Sequence, residues 1–330
     1  MHDSFENQSW PPSASFEQLR LRAGAYESIR EFFKQRKVLE VDTPSLSVAT
    51  TPDPNIHSFE THFHGGGEAQ QQHRYLITSP EFHMKRLLAA GSGCIYQICH
   101  VFRQAELGSQ HNPEFTMLEW YRIGMDYHSL MKEVAELVSL LLTVELTEPE
   151  YLTYQAAFLR YVGIDPLTAT LTELRQQAQK AGLTLPAAGQ DDKDLYLDYL
   201  MATQVQPQLG NGRLTFIYEY PASQCALARI ASDNNQIAER FELFLEGIEL
   251  ANGFHELADA EQQLQRFRSE LERRAQAGMP PVTIDQHLIA ALAGGFPDCS
   301  GVALGLDRLI QFISNQKSIN DVLAFPFNRA

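Results

Sequence analysis

The sequence predicts an α+β protein built on an antiparallel sheet flanked by helices. Three observations carry this reading: strand-like stretches separated by long helical ones, several consecutive strands joined by short loops, and no long polar linker dividing the 330 residues. A hydrophobic content of 44% supplies a large core.

An N-terminal extension, residues 1–15, precedes the first element. Over 16–37 the apolar residues Phe16, Leu19, Ala23, Tyr26, Ile29, Phe32 and Phe33 recur at helical spacing, and Lys34, Arg36 and Lys37 near the end complement the helix dipole. VLEVDTPSL is extended, and Pro44, which cannot donate a backbone hydrogen bond, suits a strand edge or an interface. Strands at 56–63 and 75–78 flank the Gly- and Gln-rich stretch 65–72, a flexible hairpin tip. His62 and His64 read as outward strand residues rather than metal ligands, because no further ligand cluster is near. Further strands are expected at 95–103, 115–123, 214–220, 239–250 and 301–306. Helices are expected at 81–90, 127–144, 171–181, 195–206, 259–278 and 306–314. The mostly helical, polar segment 147–208 reads as an insertion packed against the sheet.

Composition removes several classes. There is no basic start followed by an apolar run and no stretch of roughly 18 uncharged apolar residues, so neither a secretory leader nor a membrane span is expected, and the cytoplasm is the expected compartment. Cys94, Cys99, Cys225 and Cys299 show no CxxC spacing and read as buried free thiols. A formal charge of -15 argues against broad nucleic-acid binding, which needs clustered Lys and Arg.

The chemistry concentrates in four places. TSPEF sets Ser79 and Pro80 before Glu81, a good helix start; two readings are open, a purely structural cap or a cap that also faces a ligand, with Glu81 taking an ammonium group. In VFRQAELGSQHNPEF, Arg103 ends one strand and Phe115 begins the next, a charge and a flat face suited to ATP, against the alternative of an ordinary hairpin with a surface arginine. FELFLEGIELANGFHEL carries Glu242, Glu249 and Glu256 at seven-residue spacing. Glu249 and Glu256 converge only if Asn252-Gly253 turns or bulges the strand; converged they suit Mg2+ against ATP phosphates, and otherwise they face solvent. In GVALGLDR a small-residue strand runs into a helix with Arg308 near its N-terminus, where the helix dipole disfavours positive charge, and a broken local rule marks a functional position.

These segments, in this order, resemble the signature motifs of class II aminoacyl-tRNA synthetases, and within that class the lysyl-tRNA synthetases. HNPEF and ELANGFHE are the specific strings, VDTPSL the weaker one, and the similarity runs from about residue 16 to 330. The resemblance implies the class II catalytic fold over 16–330, an antiparallel sheet without a Rossmann domain, and a homodimer. It also implies that ATP is bound by Arg103, Gln104, Ala105, Asn112, Phe115, Glu249, Leu250, Gly305 and Arg308, with Mg2+ on Glu249 and Glu256. The amino acid is expected among Ser79, Pro80, Glu81, Tyr121, Glu256 and Ala303.

Departures from the pattern refine the expectation. Lysyl-tRNA synthetases carry an N-terminal anticodon-binding barrel, whereas here the catalytic segments begin after about fifteen residues, so an anticodon-binding domain and stable tRNA binding are not expected. The chain most resembles a truncated group of these enzymes that activates (R)-β-lysine and joins it to a lysine side chain of elongation factor P, releasing AMP and pyrophosphate. A tRNA-charging lysyl ligase and a catalytically silent regulatory paralogue are the alternatives. Ala303 stands where lysyl-tRNA synthetases have glycine, and a methyl group in a tight pocket shifts preference by about 1–3 kcal/mol, which suggests a pocket shaped for a β-amino acid. Ala105 stands where the second motif has glutamate, with Glu106 as the candidate replacement.

Overall fold

Ser15 opens α1 (Phe16–Gln35), the first helix among the described residues, with a reciprocal cap: its hydroxyl accepts from the Gln18 N–H, and the Gln18 side chain accepts from the Ser15 N–H. The computed structural model describes residues 10–65, 72–142, 146–183 and 191–330. Residues 1–9 of the expected extension, 66–71 of the expected hairpin tip, 143–144 of an expected helix end and 184–190 of the expected insertion lie outside the described residues.

After α1 come β1 (Leu39–Glu40), β2 (Leu46–Ser47), β3 (Glu60–Phe63), β4 (Gln72–Leu76), α2 (Glu81–Ala89), β5 (Ile95–Phe102), β6 (Glu114–Ile123) and α3 (Tyr127–Leu141). Then follow β7 (Thr147–Thr153), α4 (Tyr154–Tyr161), α5 (Leu171–Lys180), α6 (Lys193–Leu200) and β8 (Arg213–Pro221). The chain ends with β9 (Ile237–Leu245), β10 (Ile248–His255), α7 (Ala260–Gln276), α8 (Gln286–Ala293), β11 (Cys299–Gly305) and α9 (Leu306–Ile313).

Eight strands form one sheet in the order β1-β5-β6-β11-β10-β9-β8-β7, and β2-β4-β3 form a small second sheet. The six central strands are antiparallel, as expected; the two edge pairs, β1 with β5 and β7 with β8, are parallel. Each edge strand is separated from its neighbour by a long crossover, which parallel pairing requires.

Alternation along the strands gives the sheet two chemically different faces. Leu118 and Trp120 on β6, Phe241 and Leu243 on β9, and Val302 and Leu304 on β11 join α1, α3 and α9 in the main core. Burial there contributes on the order of 1.5–3 kcal/mol for each large side chain. The intervening residues, Met117, Glu119, Tyr121, Glu242 and Ala303, point to the opposite face, where the site lies. At the β8–β9 end, α4, α5 and α6 cover that face with a second apolar core that includes Phe158, Leu197 and Leu200.

One expected strand, 239–250, is two: β9 and β10 turn back on each other through Glu246 and Gly247, whose φ values of +48° and +72° fit the tight turns that suit sheet twist. Asn252-Gly253, the stronger turn dipeptide by composition, lies inside β10 instead. A Cβ at Gly253 would sit 2.3 Å from the Phe241 ring, so its glycine serves packing, not turning. The expected helix 195–206 becomes α6 followed by a π-turn over Met201–Val205.

Candidate active site

A cavity of about 380 Å3 opens on the polar face of the sheet. At one end stands Arg308, one turn into α9. Its neighbour Asp307 is buried, accepts the Thr116 N–H at 2.6 Å and pairs with Arg22 at 2.5 Å, which locks the start of α9 against β6 and α1. The Arg308 guanidinium therefore reaches over the sheet: it donates to the carbonyls of Glu249 at 2.8 Å and Gln110 at 3.3 Å and meets His111 Nε2 at 2.7 Å. Arg103 lies 5.1 Å above the Phe115 ring and 3.6 Å from Glu106. Both arginines, Asn112, Phe115, Leu250 and Gly305 line the cavity. Asn112 is fixed by donating to the Glu114 carbonyl at 2.6 Å and accepting the Phe327 N–H at 2.9 Å.

Gln104 and Ala105, expected at the nucleotide, are instead exposed and outside the cavity lining. Ala105 adopts φ +69°, and this left-handed step turns the pair outward while bringing Glu106 to the wall.

The other end is acidic and deeper. Ser79 accepts the Glu81 N–H at 3.0 Å, although Pro80 and not Ser79 holds the N-cap position of α2, and its hydroxyl donates to Glu119 Oε2 at 2.7 Å. Tyr121 donates to Glu119 Oε1 at 2.7 Å. Burial and the charge of Glu81 push the Glu119 carboxyl up to about 8. Beneath it, Lys85 Nζ lies 2.6 Å from both Glu81 Oε1 and Glu256 Oε2. Glu256 is pushed up to about 7 by burial, opposed by Lys85. Ser79, Glu81 and Ala303 line the cavity; Tyr121 and Glu256 stand behind the wall, and Pro80 only precedes α2. Gly301 makes room for this arrangement, since a Cβ there would lie 2.3 Å from the Tyr121 ring and 2.6 Å from Glu256 Oε1.

The expected pairing of Glu249 with Glu256 does not form. A bulge occurs in β10, but between Glu249 and Ala251 rather than at Asn252-Gly253, and it turns Glu249 onto the polar face opposite Phe244. Glu256 shares that face, yet the extended strand sets it roughly 20 Å along, where Lys85 neutralises it. The carboxylate near Glu249 is Glu242, from β9. Both line the cavity, and burial together with the charge of Glu249 raises the Glu242 carboxyl against the lowering effect of Arg240. Two carboxylates facing an open cavity suit Mg2+, which takes few protein oxygens and completes its shell with phosphate and water. No cluster of three or more His, Cys, Asp or Glu ligands occurs among the described residues.

Lys85 and Glu119 are absent from the sequence-based set. Nothing in the local sequence pattern singles out Lys85, whereas the alternation of TMLEWY does place Glu119 on the face of Met117 and Tyr121.

The sequence profile of the tRNA synthetases class II (D, K and N) matches residues 12–329, and the chain belongs to that family. Within it, the chain is 51% identical to the elongation factor P–(R)-β-lysine ligase of Edwardsiella ictaluri over 322 residues, which cover 98% of each chain. Its counterpart of the same name from Vibrio vulnificus is 51% identical over 96% of this chain and 98% of its own, and that from Salmonella typhi is 50% identical over 98% and 99%.

Proposed function

We propose that the chain activates (R)-β-lysine with ATP and transfers it to the ε-amino group of a lysine in elongation factor P. The observation that carries this is the acidic cluster at the far end of a cavity whose near end holds Arg103 and Arg308: Glu81 on the cavity wall, and behind it Glu256, paired with Lys85, and Glu119, held by Ser79 and Tyr121. Burial raises the carboxyls of Glu119 and Glu256 while Lys85 stays charged, so the cluster gains negative charge as its carboxyls ionise beside an approaching ammonium, which suits an amino acid with two ammonium groups. The name and near-complete length match of the relatives support the acceptor, and the acidic chain disfavours tRNA.

In the first step the β-lysine carboxylate attacks the α-phosphorus of ATP and pyrophosphate leaves. Arg103 and Arg308 neutralise the developing phosphate charge from fixed positions, and Phe115 offers its face to adenine. Glu242 and Glu249 would hold Mg2+, which supplies further neutralisation of the phosphate oxygens. In the second step the acceptor amine attacks the carbonyl of the mixed anhydride; AMP leaves and an amide forms. Positioning and exclusion of water suffice, and no protein nucleophile is required. Ala303, on the cavity wall across from Glu119, narrows the amino-acid end.

Four unpaired cysteines and the use of ATP support a cytoplasmic location, and no helix of the described residues is long and apolar enough to cross a membrane. Exposed Leu39, Leu46 and Val48 support a homodimer formed through the segment after α1. ATP–pyrophosphate exchange with each lysine isomer tests the first step: exchange should depend on β-lysine, and its absence with every isomer would refute the reading.

A further inference from the structure

The α4–α6 layer does more than bury an apolar surface. One face of α6 presents Asp194 and Asp198, a helical turn apart, to a surface turn at Ala222–Gln224. Ser223 Oγ donates to Asp194 Oδ1 at 2.7 Å, and Gln224 Nε2 donates to Asp198 Oδ1 at 2.7 Å, so the turn is docked on α6 by two side chains. The Gln224 carbonyl in turn accepts from Arg240 Nη1 at 2.7 Å.

Arg240 uses each of its three nitrogens on a different element. Nη1 holds the docked turn, Nε donates to Asn252 Oδ1 of β10 at 3.3 Å, and Nη2 pairs with Glu242. Its guanidinium lies 4.4 Å over the Tyr220 ring, which packs against Tyr154 of α4 at 4.9 Å. The chain leaving the turn then enters the cavity wall directly, through Ala226 and Leu227. A planar guanidinium held at three points has little freedom left, and neither has the carboxylate it carries.

We infer that the α4–α6 layer positions Glu242 through the relay Asp198–Gln224–Arg240, so that α6 sets the geometry of the carboxylate pair that receives MgATP. The inference rests on the reading of Glu242 and Glu249 given above. Asp198, Gln224 and Ser223 are positioning residues; none of the three lines the cavity.

The test compares Asp198→Ala, Asp198→Asn and Gln224→Leu with the unaltered full chain. Three quantities are measured: the MgATP dissociation constant by calorimetry, amide hydrogen exchange over residues 222–228, and the thermal midpoint. Asp198→Ala and Gln224→Leu should weaken MgATP binding by about three- to tenfold, the size expected for one lost hydrogen bond to a charged or polar partner, and speed exchange across the turn. Asp198→Asn keeps an acceptor oxygen and should bind like the unaltered chain. Wild-type affinity in both Asp198→Ala and Gln224→Leu would overturn the relay. If Asp198→Ala does not fold, Gln224→Leu on the surface turn decides alone. Failure of the unaltered chain to bind MgATP would refute the reading of the site itself, a result distinct from equal binding by all variants.

Discussion

The Lys85 ammonium lies 2.6 Å from a carboxylate oxygen of Glu256, with both side chains no more than 2% exposed. A pair this deep is kept only while both members are present, because either charge alone would be stranded without water. Glu81, 2.6 Å from the same ammonium, ties the pair to the first turn of α2 and to the cavity wall. Lys85→Ala should therefore destabilise the protein by about 3–5 kcal/mol, measured by urea denaturation. A loss below about 1 kcal/mol would mean that the two carboxylates are solvated or protonated at no cost.

Acidity in the same cluster predicts a pH profile. The folded-state values of Glu119, about 8, and Glu256, about 7, both lie above the ordinary carboxyl value of 4.5. Raised carboxyls stabilise the fold below about pH 4.5, and that contribution is lost as pH rises through about 7 to 8. Binding of a substrate with two ammonium groups favours the ionised forms, so the KM for β-lysine should fall as pH rises from 6 to 8.5. Glu119→Gln should flatten the dependence attributed to Glu119 and raise KM at pH 8.5 by at least about tenfold, the loss of one charge-assisted hydrogen bond. A KM in that variant that still follows the wild-type profile would remove Glu119 from amino-acid recognition.

The carboxylates at the proposed nucleotide end give a separate contrast. Glu249→Gln and Glu242→Gln should each raise the Mg2+ concentration needed for half-maximal pyrophosphate exchange, by about tenfold or more. Glu256→Gln should lower activity without shifting that concentration, since Lys85 already occupies it. Titration of exchange activity with Mg2+ separates the two behaviours.

Packing at Gly253 can be tested by compensation. Gly253→Ala places a methyl group against the Phe241 ring and should cost about 1–3 kcal/mol, with Phe241→Leu in the same chain recovering part of it. Strict additivity of the two changes in denaturation would show that the ring and the glycine do not constrain each other.

Much of this site is legible in the sequence. Arg103, Phe115 and Arg308 stand out because a cation next to an aromatic, or at a helix start, breaks the usual local pattern. Glu242 and Glu249 were visible as members of a seven-residue series, but which two meet depends on a one-residue bulge at Leu250 that no composition rule announces. Asn252-Gly253 misled for the same reason in reverse: a glycine chosen for a neighbouring ring looks the same as one chosen for a turn. Lys85 was illegible because its burial comes from Glu256, distant in sequence and brought close only by the fold.

The proposed role of Ala303 in telling the isomers apart has its own test. Ala303→Gly should narrow the preference for β- over α-lysine by about 5- to 150-fold, the effect of a single methyl group in a tight pocket. An unchanged ratio of kcat/KM for the two isomers would move the source of specificity elsewhere on the wall.

Intact-mass analysis of elongation factor P, after incubation with this enzyme, ATP and each lysine isomer, tests the proposed transfer. Elongation factor P should gain the mass of one lysyl residue, fastest with (R)-β-lysine and not at all without ATP. No gain with any isomer, in a preparation that still exchanges pyrophosphate, would contradict it.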